Sequence, residues 1–166
     1  MSSERPVAGW RTLAGARLAV QPGDFDAAAE LARTRGLLGG AVGAIASFIG
    51  LVRDQYEGAP VSELYLEHYP GMTEQSLVDM IEQAQQRWLL QDVCVIHRVG
   101  ALLPTDQIVF VQTAAAHRPD AFAACEFLMD YLKTEAVLWK RERQGEANRW
   151  LSSTADDAQR RASWQE

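Results

Sequence analysis

Apolar positions along this chain recur with two periods, and the two periods divide it into helices and strands. Residues 1–15 follow neither and are expected to form a flexible extension. Residues 16–20 read as a short strand. Asp24 then stands where a helix N-cap belongs, and Phe25, Ala28, Leu31 and Ala32 share one face of a helix running to about Arg35. Gly36, Gly39 and Gly40 end that helix. Residues 41–52 are apolar and β-branched enough for a buried strand, in which Gly43 and Gly50 mark a bulge or a close backbone contact. Gly58-Ala59-Pro60 is a turn, residues 61–69 alternate as a strand with one slip in register, and Pro70-Gly71 breaks it.

A second helix follows from a Thr73 cap to about Trp88, with Leu77, Met80, Ile81, Ala84 and Trp88 at helical spacing. Residues 93–99 and 107–115 read as strands joined by a loop containing Pro104 and Asp106. Pro119 sits at a first helical position, where its missing N–H costs nothing. That third helix runs to about Lys133 and is expected to bury Phe122, Cys125, Phe127, Leu128, Met129 and Leu132. Residues 137–142 and 149–151 flank a polar turn and form a hairpin. From Thr154 onward the chain is polar and weakly helical. Short links between adjacent strands predict antiparallel pairing, hence an α+β fold with mainly antiparallel strands and about three helices. One domain over residues 16–153 is expected, with a tail at 154–166.

Composition narrows the function classes. Hydrophobic residues make up 48% and charged residues 23%, which is the balance of a globular protein with a core. No apolar run approaches the roughly 18 residues of a membrane helix, and the start of the chain lacks a signal-peptide pattern, so a cytoplasmic protein without a membrane partner is expected. The net charge of -6 argues against nucleic acid as a partner. Basic residues and histidines nevertheless gather at His97-Arg98, at His117-Arg118 and between Lys133 and Arg143. Local basic pockets on an acidic protein suit a small anion. Cys94 and Cys125 lie in apolar patterns without a CxxC, so no metal site or disulfide is expected.

Three features carry chemistry. Ala116-His117-Arg118-Pro119 places donors and positive charge where a helix starts, either as an anion site or as a surface pair. Lys133 and Lys140, seven residues apart, share a face if the helix continues and still converge if a strand begins near Val137. A lysine near other cations and partly desolvated loses proton affinity and becomes usable in acid–base or nucleophilic chemistry, whereas one that snorkels does not. Arg53, ending the apolar run Phe48-Ile49-Gly50-Leu51-Val52, either clamps an anion or pairs with a nearby acid. His97 reads as a structural histidine.

Taken together, these motifs resemble a known family. Ser47 to Arg53, Leu66-Glu67-His68-Tyr69-Pro70-Gly71-Met72-Thr73, Val95-Ile96-His97-Arg98-Val99-Gly100, Ala116-His117-Arg118, Met129-Asp130-Tyr131-Leu132-Lys133-Thr134 and Trp139-Lys140-Arg141-Glu142 are similar, in order and spacing, to the catalytic large subunit of molybdopterin synthase. The resemblance implies a hammerhead-type α+β fold and a central homodimer with a small ubiquitin-like sulfur carrier docked at each end. It implies that the carrier's C-terminal Gly-Gly thiocarboxylate delivers sulfur to cyclic pyranopterin monophosphate, two carriers being used per dithiolene, without a cofactor. By the same resemblance Lys133 and Lys140 are catalytic, with Lys133 as the acid–base group. Arg53, His117 and Arg118 contact the anion and pterin, Phe48 and Met129 line the pocket, and Glu142 lies beside Lys140. Where some relatives carry a cross-dimer arginine after an Arg-Trp pair, this chain has Leu151-Ser152-Ser153-Thr154, leaving Arg149 or Arg143 to replace it. The proline common before the equivalent of Trp139 is missing too. Two rivals are a persulfide sulfurtransferase using Cys125 or Cys94 and a non-catalytic paralogue that only binds carrier or pterin.

Overall fold

The computed structural model describes residues 9–165. In chain order the elements are β1 (Trp10–Leu13), β2 (Ala16–Gln21), α1 (Ala27–Leu38), β3 (Ala44–Leu51), β4 (Gln55–Tyr56), β5 (Ala59–Pro60), β6 (Glu63–His68), α2 (Met72–Arg87), β7 (Leu90–Arg98), β8 (Gly100–Leu102), β9 (Gln107–Ala115), α3 (Arg118–Thr134), β10 (Leu138–Gln144), β11 (Ala147–Leu151) and α4 (Ala155–Ala162). A five-stranded sheet runs β1-β2-β7-β9-β3, and a four-stranded sheet runs β11-β10-β6-β8. Every pairing is antiparallel except β2 with β7. The expected α+β class therefore holds, with four α-helices among the described residues rather than about three.

The larger sheet is sandwiched. On one face α2 and α3 bury Leu77, Ile81, Phe127 and Leu128 against Leu18, Val93, Val95 and Val111. On the other, Ala19, Cys94, Ile96 and Phe110 are covered by Trp10 and Phe25. Residues 92–97 of β7 and 109–115 of β9 are consequently buried without interruption, which is why they read as continuous apolar runs. A smaller core of Val52, Leu64, Leu66 and Leu102 lies under the second sheet.

Gly43 and Gly50 act as their positions in an apolar strand suggest. A Cβ on Gly43 would stand 2.0 Å from the Ala116 carbonyl oxygen. Gly50 sits at the register shift where β3 meets β9. The strand itself differs from expectation: β3 is an edge strand, and Phe48, Ile49 and Leu51 are 41%, 40% and 54% exposed.

Several expectations are corrected. Of the extension at residues 1–15, residues 1–8 lie outside the described residues, and Trp10–Leu13 pair with β2 as a strand. The first helix starts two residues late. Asp26 is its N-cap, accepting from the Ala29 amide, while Asp24 accepts from the Phe25 amide and the Gln107 side chain. Its supposed apolar face is exposed at Ala28, Leu31 and Ala32, and only Thr34 is buried. Polar contacts attach it instead. Arg17 donates to Glu30, Thr34 and Asp92 at 2.5, 3.0 and 3.2 Å, and Gln112 donates to Thr34 at 2.6 Å. Phe122 is exposed because α3 buries Ala121, Ala124, Cys125 and Leu128, and one further residue turns a side chain about 100° away. β8 interrupts the loop expected between the two central strands and joins the second sheet.

The segment expected as a separate polar tail is docked on α3. Arg160 donates to Asp130, Arg161 pairs with Glu135, and the Trp164 indole N–H donates to Asp130 at 2.7 Å. The Trp164 ring meets Trp88 and Phe127 edge-on.

Candidate active site

Local folding brings Lys133 and Lys140 together. Lys133 occupies the last turn of α3, where aligned peptide dipoles favour a cation. The helix stops at Thr134, whose hydroxyl donates back to the Asp130 carbonyl. The link to β10 is then pinned to α2: Thr73 Oγ1 donates to the Val137 carbonyl at 2.6 Å, and the Val137 amide donates to Ser76 Oγ. Strand alternation from Leu138 turns Lys140 inward, between Leu66 of β6 and Leu151 of β11.

Both lysines line two cavities. One, of about 300 Å³, is polar, with Arg53, Tyr56, Glu142, Ser152, Thr154 and Asp157 around the lysines. The other, of about 330 Å³, is mostly apolar, with Phe48, Ile49, Ile108, Met129 and Leu132 beside them and His97 in its wall. Leu51, Ile108 and Leu132 also belong to both. The lysines therefore stand where a polar chamber and an apolar one meet.

The surroundings of Lys140 displace its proton affinity. Partial burial, and next the charge of Lys133, push Lys140 down to about 8, against a smaller opposing pull from Asp157. Such a lysine exchanges its proton near neutral pH. Asp157 is held below the usual carboxylate range by its hydrogen bonds to Thr154 and by both lysines, with burial opposing them. Glu142 is buried beside Lys140 on β10, and Gln144 donates to it at 3.4 Å.

His97 is pushed down to about 4, by burial first. Burial therefore keeps the imidazole neutral near pH 7, although its Nδ1 donates to the Arg98 carbonyl at 2.8 Å, a contact that favours the charged form. It satisfies the structural reading, yet it also lines the apolar cavity. Burial pushes the Cys94 thiol up to about 12 and the Cys125 thiol up to about 11, which removes both as nucleophiles at neutral pH.

Of the residues expected at the site, Arg53, Phe48, Met129, Lys133, Lys140 and Glu142 line one or both cavities. His117 and Arg118 do not. They are exposed at the N-terminal end of α3, and Lys133 is in its last turn, about 22 Å along the axis at 1.5 Å per residue. Sequence reasoning missed Tyr56 and Asp157. Asp157 has a local signal, since Thr154 and Asp157 form a capping box spaced three apart. Tyr56 has none, because its place depends on how a two-residue hairpin folds over the cavity.

Known proteins resemble this chain in sequence and fold. A family profile described as "MoaE protein" matches residues 20–135. A molybdopterin synthase catalytic subunit from Ralstonia nicotianae is 53% identical over 145 residues, 87% of this chain and 82% of that protein. One from Vibrio cholerae is 50% identical over 149 residues, 90% of this chain and 98% of that protein. The solved structure of a molybdopterin biosynthesis MoaE protein from Burkholderia ambifaria superposes with a TM-score of 0.76 at 48% identity, covering 90% of this chain and 97% of that one. With the family profile matching residues 20–135 and relatives about half identical over most of its length, the chain belongs to the MoaE family.

Proposed function

We propose that this chain is the catalytic subunit of a molybdopterin synthase, transferring sulfur from the thiocarboxylate of a small ubiquitin-like carrier to cyclic pyranopterin monophosphate. The observation that carries the reading is the position of Lys133 and Lys140 where the polar and apolar cavities meet. The apolar cavity, open beside the exposed edge residues Phe48 and Ile49, suits the extended Gly-Gly end of a carrier. The polar cavity, with Arg53 in its wall, suits the phosphorylated pterin.

In this reading the carrier's sulfur forms a C–S bond to a side-chain carbon of the pterin as a C–O bond at that carbon breaks, its oxygen leaving on the phosphate or, protonated, as water; a water molecule then breaks the acyl–sulfur bond. Sulfur stays on the pterin and the carrier leaves with an ordinary carboxylate. Two carriers complete the dithiolene. Lys133 stabilises the thiocarboxylate and the oxyanion that develops. Lys140, near 8, takes and returns the proton.

His117 and Arg118 enter through symmetry. One protomer cannot put both ends of α3 on one ligand, but a two-fold dimer can pair one protomer's lysines with His117 and Arg118 of the partner subunit. The carriers sit outside this homodimer core. Among the described residues no helix is long and apolar enough to cross a membrane. We assign the protein to the cytoplasm, where its two buried free cysteines stay reduced.

Reconstitution tests the reading. The purified chain, a thiocarboxylated carrier and cyclic pyranopterin monophosphate should yield the dithiolene. Binding of both partners without product would instead identify a non-catalytic paralogue.

A further inference from the structure

We infer that Tyr56 is a positioning residue for substrate binding: its ring holds the Arg53 guanidinium at the mouth of the polar cavity, and Arg149 holds the ring. The inference rests on the reading that Arg53 receives the anionic substrate.

Arg53 leaves β3 just past its register shift. Its neighbour Val52 is buried and fixed on both sides, donating to the Asp106 carbonyl and accepting from the Thr105 amide. The backbone is thus anchored, but the side chain is exposed. Among the described residues Arg53 makes no hydrogen bond and no ion pair. Its one close partner is the Tyr56 ring, whose centroid lies 5.5 Å from the guanidinium carbon.

A second arginine meets the same ring. The guanidinium carbon of Arg149, on β11, lies 5.3 Å from the same ring. Arg149 also donates to Glu57 at 2.9 Å. Glu57 and Gly58 form the tip of the β4–β5 hairpin with φ of 49° and 80°, the paired positive values of a tight two-residue turn. A non-glycine residue adopts that conformation at a cost, so the ion pair to Arg149 helps hold a strained tip in place. The Val61 amide, donating to the Asp54 carbonyl at 2.8 Å, closes the base of the hairpin.

The Tyr56 ring is therefore in contact with both Arg149, from the second sheet, and Arg53, with which it lines the cavity. A free arginine side chain samples many rotamers, and ordering one on binding weakens the complex. An arginine held on an aromatic face has already lost that freedom. The effect is on substrate capture and not on bond making, because Arg53 is fixed before the ligand arrives. It also gives Arg149 a role within its own protomer.

Steady-state kinetics of the reconstituted synthase decide the matter. Tyr56→Leu should raise KM for cyclic pyranopterin monophosphate about twofold to fivefold with kcat unmoved. Tyr56→Phe should restore most of the affinity, since the Tyr56 hydroxyl makes no hydrogen bond among the described residues. Arg149→Gln should give an intermediate KM. Arg53→Ala should raise KM at least as far as Tyr56→Leu, and adding Tyr56→Leu to Arg53→Ala should then change nothing. Equal penalties for Tyr56→Leu with and without Arg53, or a Phe variant as weak as Leu, would overturn the inference while leaving Arg53 a substrate contact. An unchanged KM in Arg53→Ala would remove that contact and the inference with it.

Discussion

Lys140 and Lys133 line the same two cavities, and Lys140 is pushed down to about 8, by burial first and by the charge of Lys133 second. A displaced pKa is also a statement about stability. Below about 8 the side chain is charged in both the folded and unfolded chain, so the fold bears the full cost of a cation in that place. Between about 8 and the ordinary 10.5 the unfolded chain holds more protons, so stability rises with pH. Lys140→Met should therefore stabilise the protein at pH 7 by about 1–3 kcal/mol. The advantage should fade as pH climbs from 8 to above 10. Urea denaturation at several pH values measures it, and a Met variant less stable at pH 7 would show that the lysine is not under strain.

Lys133 should be the residue whose loss is felt most in turnover. Lys133→Ala removes a charge aimed at a developing oxyanion, a change expected to lower kcat about a hundredfold to a thousandfold. It also removes the second cause of the Lys140 shift, so the Lys140 pKa should move up toward its ordinary value. Acetylation of Lys140 across a pH series, in the wild type and in Lys133→Ala, reads that movement independently of activity. A Lys133→Ala enzyme with near-normal turnover would end the assignment. One that is inactive but leaves the Lys140 midpoint in place would separate the catalytic role from the electrostatic one.

The polar patch under α1 makes a prediction about folding alone. Arg17 is buried and bonded to Glu30, Thr34 and Asp92, and Asp92 is itself buried. Arg17→Met leaves the Asp92 carboxylate without a compensating charge, which costs about 3–5 kcal/mol. The loss should appear as a lower urea midpoint and as faster hydrogen exchange across α1, whose apolar residues at Ala28, Leu31 and Ala32 face solvent. A neutral result would mean that Phe25, packed on Phe110, is enough to hold the helix.

What the sequence discloses depends on whether a feature is local. Continuous apolar runs mark β7 and β9 because both faces of those strands are covered, and Pro119 marks the start of α3. The Lys133–Lys140 convergence is legible too, because only a short link separates helix from strand. By contrast α1 misleads, since its attachment is polar: a period of apolar residues says nothing when Arg17, Thr34 and Asp92 do the anchoring. The docked tail is hidden for the same reason, its contacts being ion pairs from Arg160 and Arg161 together with a single Trp164. Burial likewise tunes Lys140, and no local pattern announces it. The distance between His117 and Lys133 is plain once α3 is known to be unbroken, yet motifs gathered by charge place them in one pocket.

That distance yields the most decisive test of the dimer. His117 and Arg118 begin α3 and Lys133 ends it, about 22 Å away along one helix. If each site joins one protomer's lysines to His117 and Arg118 of the partner subunit, an Arg118→Ala homodimer and a Lys133→Ala homodimer each damage both sites. A mixed dimer of the two variants behaves differently. One of its sites combines both lesions, and the other has an intact Lys133 from one subunit and an intact Arg118 from its partner. Unfolding and refolding an equimolar mixture makes half the dimers mixed, so turnover should recover to about a quarter of the wild-type rate. Sites built within single protomers would show no recovery, since every site would then contain one lesion. The recovered rate should also follow the mixing ratio, peaking at equal amounts, which distinguishes complementation from residual activity in either parent.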